Sequence, residues 1–121
     1  MKDFEYSAPD NLQAATALLA EHGDRAQVLA GGTDIIVQLR EGLRSADFVV
    51  DVKNIPELMA LKYKSKEGLT LGASTSCCEL YNHAEIAAAY PALIDAAKIV
   101  GGWQIQTRAS VGGNLCNSSP A

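Results

Sequence analysis

The chain has 121 residues, 48% of them hydrophobic and 20% charged, which is the make-up of one globular domain with enough apolar side chains to bury a core. Its formal charge of -4, with ten scattered Lys and Arg residues and no basic run, excludes the electrostatic footprint of a nucleic-acid binder. The start Met1-Lys2-Asp3-Phe4-Glu5 has neither secretory nor transit character, and no later stretch reaches the roughly eighteen apolar residues of a membrane span, so no membrane insertion and a cytoplasmic location are expected.

Phe4-Glu5-Tyr6 reads as a short opening strand, followed by a turn, Ser7-Ala8-Pro9-Asp10, into a helix from about Asn11 to His22. Leu12, Ala15, Leu18 and Leu19 recur there at helical spacing as a core-facing stripe, and Gly23 supplies the stop. Ala26 to Ala30 is an apolar run of strand type, broken by Gly31-Gly32 and followed by a helical pattern from Thr33 to Arg40 with Ile35, Ile36 and Leu39 on one face. Asp47 to Val52 is a second buried strand, and Asn54-Ile55-Pro56-Glu57-Leu58 predicts a capped helical turn with proline near its first position.

Beyond Met59 the period changes. Leu61-Lys62-Tyr63-Lys64 and Leu69-Thr70-Leu71 alternate apolar and polar residues around Ser65-Lys66-Glu67-Gly68, as a hairpin does. Thr75 to Tyr90 and Ala92 to Val100 read as alanine-rich helices separated by Pro91, with Thr75 or Ser76 as an N-cap answered by Glu79. Ser110 to Ala121 gathers small and turn-forming residues, reads as loop, and stops without a closing element, as a cut chain does.

Two constellations carry chemistry. Ala30-Gly31-Gly32-Thr33-Asp34 lies between a strand and a helix, where backbone N–H groups lack intrahelical partners and glycines leave room for a diphosphate. Thr33 adds a hydroxyl, whereas Asp34, itself an anion, helps only by capping the helix or orienting the loop. The sequence is neither a G-x-G-x-x-G fingerprint nor a P-loop, and a tight structural connection is the plainer alternative. Ala109-Ser110-Val111-Gly112-Gly113-Asn114 repeats the chemistry with a hydroxyl and an amide beside its glycines, and a sharp structural turn is again the alternative.

Other polar residues point to structure rather than catalysis. Cys77, Cys78 and Cys116 lack a C-x-x-C pair and are expected to be buried, reduced thiols without metal. His22 and His83 read as helix-end or surface residues, Trp103 as a core residue within reach of the second loop, and Arg108 as a partner for phosphate, another chain or a surface carboxylate.

Ala30-Gly31-Gly32-Thr33-Asp34, Thr107 to Asn114 and Asn117-Ser118-Ser119-Pro120-Ala121 together resemble the FAD-binding medium subunits of molybdenum hydroxylases such as carbon monoxide and xanthine dehydrogenases. Asp51, Ile55-Pro56-Glu57-Leu58 and Leu71-Gly72-Ala73 extend the resemblance in the right order along the whole chain. The resemblance implies a PCMH-type FAD-binding fold of α+β class. It divides into a mostly parallel β/α subdomain over 1–55 with the first loop, and the start of a second subdomain over 56–121 with a mixed or antiparallel sheet and the second loop. It places FAD against Ala30, Gly31, Gly32, Thr33, Asp34 and Ile35, with Leu29 leading in, and against Ala109, Ser110, Gly112, Gly113 and Asn114. Leu71, Gly72 and Ala73 are added to that set, and no catalytic residue is.

The function so implied is electron transfer: FAD receives electrons from the 2Fe-2S clusters of an iron-sulfur subunit, a molybdopterin-binding large subunit hydroxylates the substrate, and the flavin passes electrons to an acceptor. The remainder of the FAD subunit is a further expected partner. Competing expectations are a non-catalytic FAD-binding or assembly module, and a fragment of a self-contained FAD-dependent oxidase.

Overall fold

The computed structural model describes residues 2–118, so Ser119-Pro120-Ala121 of the last motif lie outside the described residues. Strand β1 (Glu5–Ser7) leads to helix α1 (Leu12–His22), a single 3-10 turn (Gly23–Arg25), β2 (Ala26–Leu29), α2 (Ile35–Arg40) and β3 (Phe48–Asp51). The three strands are parallel in the order β1-β3-β2, with Ala26 opposite Phe48 and Leu29 opposite Asp51. Being central, β3 is buried along its whole length and reads as a continuous apolar run ending in one carboxylate.

The pleat of β3 sorts its residues onto two faces. Phe48 and Val50 join Ala15, Leu18 and Leu19 of α1 in one cluster, while Val49 meets Leu39 and Ile35 of α2 in another. Asn11 caps α1 by accepting from Ala14 N at 2.8 Å, and Gly23 ends it with φ +53°. Leu12, expected in the core stripe, is 43% exposed in the first turn of α1. The Pro56–Met59 turn is 3-10 with Pro56 at its start, as expected, but no side chain caps it.

Leu61–Lys64 (β4) and Gly68–Leu71 (β5) form the expected antiparallel hairpin, pairing Leu61 with Leu71. Leu61, Tyr63, Leu69 and Leu71 share one face and pack on a helical cluster built around Cys77, Leu80, Ile86 and Ile94. That cluster comes from α3 (Cys77–Asn82), α4 (Ala84–Ala89) and α5 (Pro91–Lys98). Thus the long helix expected over 75–90 is broken at His83, whose extended backbone ends α3 and starts α4, and Pro91 begins α5 instead of merely separating two helices. Ser76 is the N-cap, in a complete capping box with Glu79.

The last third of the chain differs from the expected pattern at two places. Trp103 opens a four-residue helix, α6 (Trp103–Gln106), and is 68% exposed instead of packed in the core. The stretch expected to be loop from Ser110 contains α7 (Val111–Asn117), because the Ser110 hydroxyl accepts from Gly113 N at 3.0 Å and caps a helix that two glycines would otherwise disfavour. Among the described residues no helix is long and apolar enough to cross a membrane.

Candidate functional site: a cavity between two glycine segments

The two glycine segments are in direct contact. Gly31 lies against the backbone carbonyl of Arg108 and near Ala109 N, leaving no room for a Cβ, and Arg108 Nε donates to Gly31 O at 3.3 Å. Among the described residues Arg108 forms no ion pair, and its contact with Gly31 O engages Nε alone of the guanidinium donors. Gly112 is likewise pressed on Ala73, and Gly72 on the backbone of Leu58 and Ala60. These glycines are therefore required first by the approach of one protein segment to another; the room expected for a ligand is partly filled by protein. Gly32 differs, since its φ of +83° demands glycine for conformational reasons.

Around this junction opens a cavity of about 530 Å³. Its lining includes Ala30, Gly31, Gly32, Thr33, Asp34 and Ile35 from the first segment and Ala109, Ser110, Gly112, Gly113 and Asn114 from the second. Ala73 lines it as well, followed by Ser74, which the sequence did not single out. Leu29, Leu71 and Gly72 do not line it. Leu29 packs behind the sheet with Val49, Leu71 belongs to the hairpin's apolar face, and Gly72 is buried.

Leu12, Ala15, Thr16 and Leu19 of α1, with Val52, Ile55 and Leu58, give the cavity an apolar wall, whereas the glycine segments form a polar one. Among the described residues, no acceptor takes up the backbone N–H groups of Gly31, Gly32, Thr33, Asp34 and Ile35, or that of Gly112. Asp34 stands at the N-cap position of α2 without a capping hydrogen bond, so the capping role considered for it is not realised. The charged side chains of the lining, Arg44 and Asp34, sum to no net formal charge. Attraction for an anion must then come from the unspent N–H groups, which are what a diphosphate needs. A large ligand with a diphosphate and an apolar ring system fits this donor set and this wall.

At the C-terminal edge of the parallel sheet lies a second polar group, absent from the sequence reading apart from Asp51. Lys53 Nζ donates to Asp51 Oδ1 and Oδ2, both at 2.7 Å, and to Ala30 O at 2.9 Å, while Tyr6 Oη donates to Asp51 Oδ2 at 2.7 Å. Burial pushes the Asp51 carboxyl up, but the hydrogen bonds and charge of Lys53 and the Tyr6 hydroxyl outweigh it and hold it below its ordinary value. The same hydrogen bond from the carboxylate side raises the Tyr6 phenol. Gln38 Nε2 donates to Asn117 Oδ1 at 3.3 Å and ties α2 to α7 beside the cavity.

The thiols do not behave alike. Cys77 is buried and its thiol is pushed up by burial, Cys78 is half-buried, and Cys116, expected to be buried, is exposed at the cavity. His22 stacks on Phe48 with ring centroids 4.0 Å apart at the end of α1, and His83 sits at the α3–α4 junction, so neither reaches the cavity.

Residues 2–121 match the family described as FAD binding domain in molybdopterin dehydrogenase. The chain belongs to this family. It is 35% identical, over 100% of its own length, to the nicotinate dehydrogenase FAD-subunit of Eubacterium barkeri, of which it spans 41%. It is 34% identical over 98% of its length to the xanthine dehydrogenase FAD-binding subunit of Escherichia coli O157:H7, again spanning 41% of that protein. Among solved structures, a carbon monoxide dehydrogenase from Hydrogenophaga pseudoflava lacking the Mo-pyranopterin moiety of its cofactor superposes with a TM-score of 0.92 at 29% identity, covering 98% of this chain and 41% of that one. The α+β FAD-binding fold expected from the sequence is thus the fold of this family.

Proposed function

We propose that this chain is the diphosphate-holding part of an FAD-binding electron-transfer subunit in a molybdenum-containing hydroxylase complex. The observation that carries the reading is the run of unspent backbone N–H groups from Gly31 to Ile35 on a cavity whose opposite wall is apolar. In this reading Gly31, Gly32, Thr33 and Gly112 donate to the diphosphate, Asn114 and Ser110 flank it, and Ala30, Asp34, Ile35, Ala73, Ala109 and Gly113 shape the lining. Leu29, Leu71 and Gly72 act from behind the lining as packing support. In this reading 1–55 and 56–121 are two subdomains, and residues of both portions line the cavity.

Bound FAD supplies the redox chemistry, taking electrons from the 2Fe-2S clusters of an iron-sulfur subunit and passing them to an external acceptor. This chain's residues bind and orient. Among the described residues the lining has no histidine or lysine, and neither Asp34 nor Cys116 hydrogen-bonds to a group that could activate it; in this reading the site holds a cofactor. Substrate hydroxylation belongs to a molybdopterin-binding large subunit, and the remainder of the FAD subunit completes the flavin site. In this reading the complex works in the cytoplasm.

The test is to mix the complete FAD subunit anaerobically with a chemically reduced iron-sulfur partner and follow flavin absorbance. Flavin bleaching that requires the partner is the expected result. Stoichiometric flavin that stays oxidised overturns the relay, and reduction by nicotinate or xanthine without any partner subunit favours a self-contained oxidase.

A further inference from the structure

We propose that Lys53 is a positioning residue for the first glycine segment, acting through the carbonyl of Ala30, and that Asp51 and Tyr6 hold it in place. This inference rests on the reading that the cavity holds the FAD diphosphate.

The three strands end side by side, in the order β1-β3-β2, and the polar strap crosses them in that order. Tyr6 comes from β1, Asp51 is the last residue of β3, and Ala30 is the first residue after β2. An ammonium group has three N–H bonds, and Lys53 has three acceptors at 2.7 to 2.9 Å: the two Asp51 oxygens and Ala30 O. Its donors are therefore spent on protein. A lysine beside a phosphate-binding segment would ordinarily be read as a phosphate ligand, but this one is committed to the backbone.

The consequence follows from peptide geometry. In a trans peptide the carbonyl of Ala30 and the N–H of Gly31 lie in one plane and point in opposite directions, so fixing the carbonyl fixes the N–H. That N–H has no acceptor among the described residues, and Gly31 lines the cavity. Glycine is intrinsically permissive in its backbone, so Gly31 and Gly32 need their surroundings to fix them, and Gly32 is held at φ +83°, a conformation that favours glycine. The strap limits that freedom at one end, as the contact of Gly31 with Arg108 does from the other side. A cationic donor on the Ala30 carbonyl also polarises the peptide and makes the Gly31 N–H a stronger donor to an anion. Asp51 neutralises the ammonium, so Lys53 acts by position and polarisation, without adding net charge to the site.

The experiment compares FAD with riboflavin, which lacks the diphosphate, in the complete subunit stripped of flavin, for wild type and two variants. Lys53→Met with Asp51→Asn removes both charges together and leaves no buried ion unpaired. Lys53→Arg keeps the charge and the pair with Asp51, but its planar guanidinium cannot bring one nitrogen to all three oxygens. Wild type is expected to bind FAD far more tightly than riboflavin. The double variant should lose at least ten-fold of that ratio, and Lys53→Arg several-fold, with riboflavin affinity unchanged and the thermal midpoint of Lys53→Arg close to wild type. A merely structural role would weaken both ligands alike. If the folded Lys53→Arg protein keeps the full FAD-to-riboflavin ratio, the positioning role is overturned while the cofactor reading stands. If wild type does not discriminate between the two ligands, the diphosphate reading falls and takes this inference with it.

Discussion

Gly31 and Arg108 meet so closely that the backbone carbonyl of Arg108 occupies the place of the side chain Gly31 lacks. The two residues are far apart in the chain, and through them the segment after β2 and the segment before α7 become one wall. Because the obstacle to a side chain is backbone, it cannot rotate away. Gly31→Ala is expected to separate the two segments, lowering stability by about 1–3 kcal/mol as overpacking does, and to reduce flavin content along with the thermal midpoint. Gly102→Ala is the matched control: its added Cβ would meet only Gln104 Oε1 at 3.4 Å, and its φ is ordinary, so flavin content should not change. Equal flavin retention in both variants would show that the contact is dispensable.

Asp51 gives the fold an acid-sensitive point. Its folded-state pKa lies below the ordinary 3.8, so the stabilisation it contributes is complete above that value and is lost as pH falls through the lower folded value. Asp51→Asn should therefore be less stable than wild type from neutral pH down to about pH 4, and the gap should close in more acidic solution. Urea unfolding of the two proteins at several pH values checks this, and a gap that widens on acidification would contradict the assigned sign.

Ser76 and Ser110 test whether capping and ligand contact can be separated. Each caps a helix, Ser76 by accepting from Glu79 N at 3.2 Å and Ser110 by accepting from Gly113 N at 3.0 Å, and their backbones form an isolated antiparallel bridge. Alanine at either position should cost about 1 kcal/mol. Only Ser110 lines the cavity. Ser110→Ala should consequently lower FAD affinity as well as stability, whereas Ser76→Ala should lower stability alone; titration of both variants with FAD at a temperature where they remain folded decides.

The sequence was most readable where one local rule sufficed. Alternation located the hairpin, and Asn11 and Gly23 bracketed α1, because these signals act over a few neighbouring residues. It was least readable where distant segments decide. Two glycines made Val111–Asn117 look like loop, and only the cap at Ser110 and the support of Ala73 against Gly112 show why a helix holds there. Trp103 looked like core on residue type alone, yet α6 is a single turn that presents it outward. The cavity was legible as two motifs but not as a contact, since nothing in the spacing of Gly31 and Arg108 reveals that they touch. The Lys53 strap was missed for the same reason: its acceptor, Ala30 O, is supplied by another strand's end.

Cys116 offers a direct probe of the cavity because the three thiols differ in access. Cys77 has no exposed surface and burial pushes its thiol up, so both access and thiolate content are low. Cys78 is half-buried, and its sulfur accepts from Asn82 Nδ2 at 3.3 Å. Cys116 is exposed and lines the cavity with Gly112, Gly113 and Asn114. A maleimide should therefore modify Cys116 first in the folded, flavin-free subunit, Cys78 slowly, and Cys77 only on unfolding, which peptide mapping by mass spectrometry resolves. Saturating FAD should slow modification of Cys116 at least several-fold and leave Cys78 unaffected, because a ligand seated on the glycine segments covers the last turns of α7 as well. Replacing all three cysteines with serine should leave the metal content of the separated subunit unchanged. Were FAD to bind stoichiometrically without altering the Cys116 rate, the cofactor would have to sit elsewhere than in this cavity.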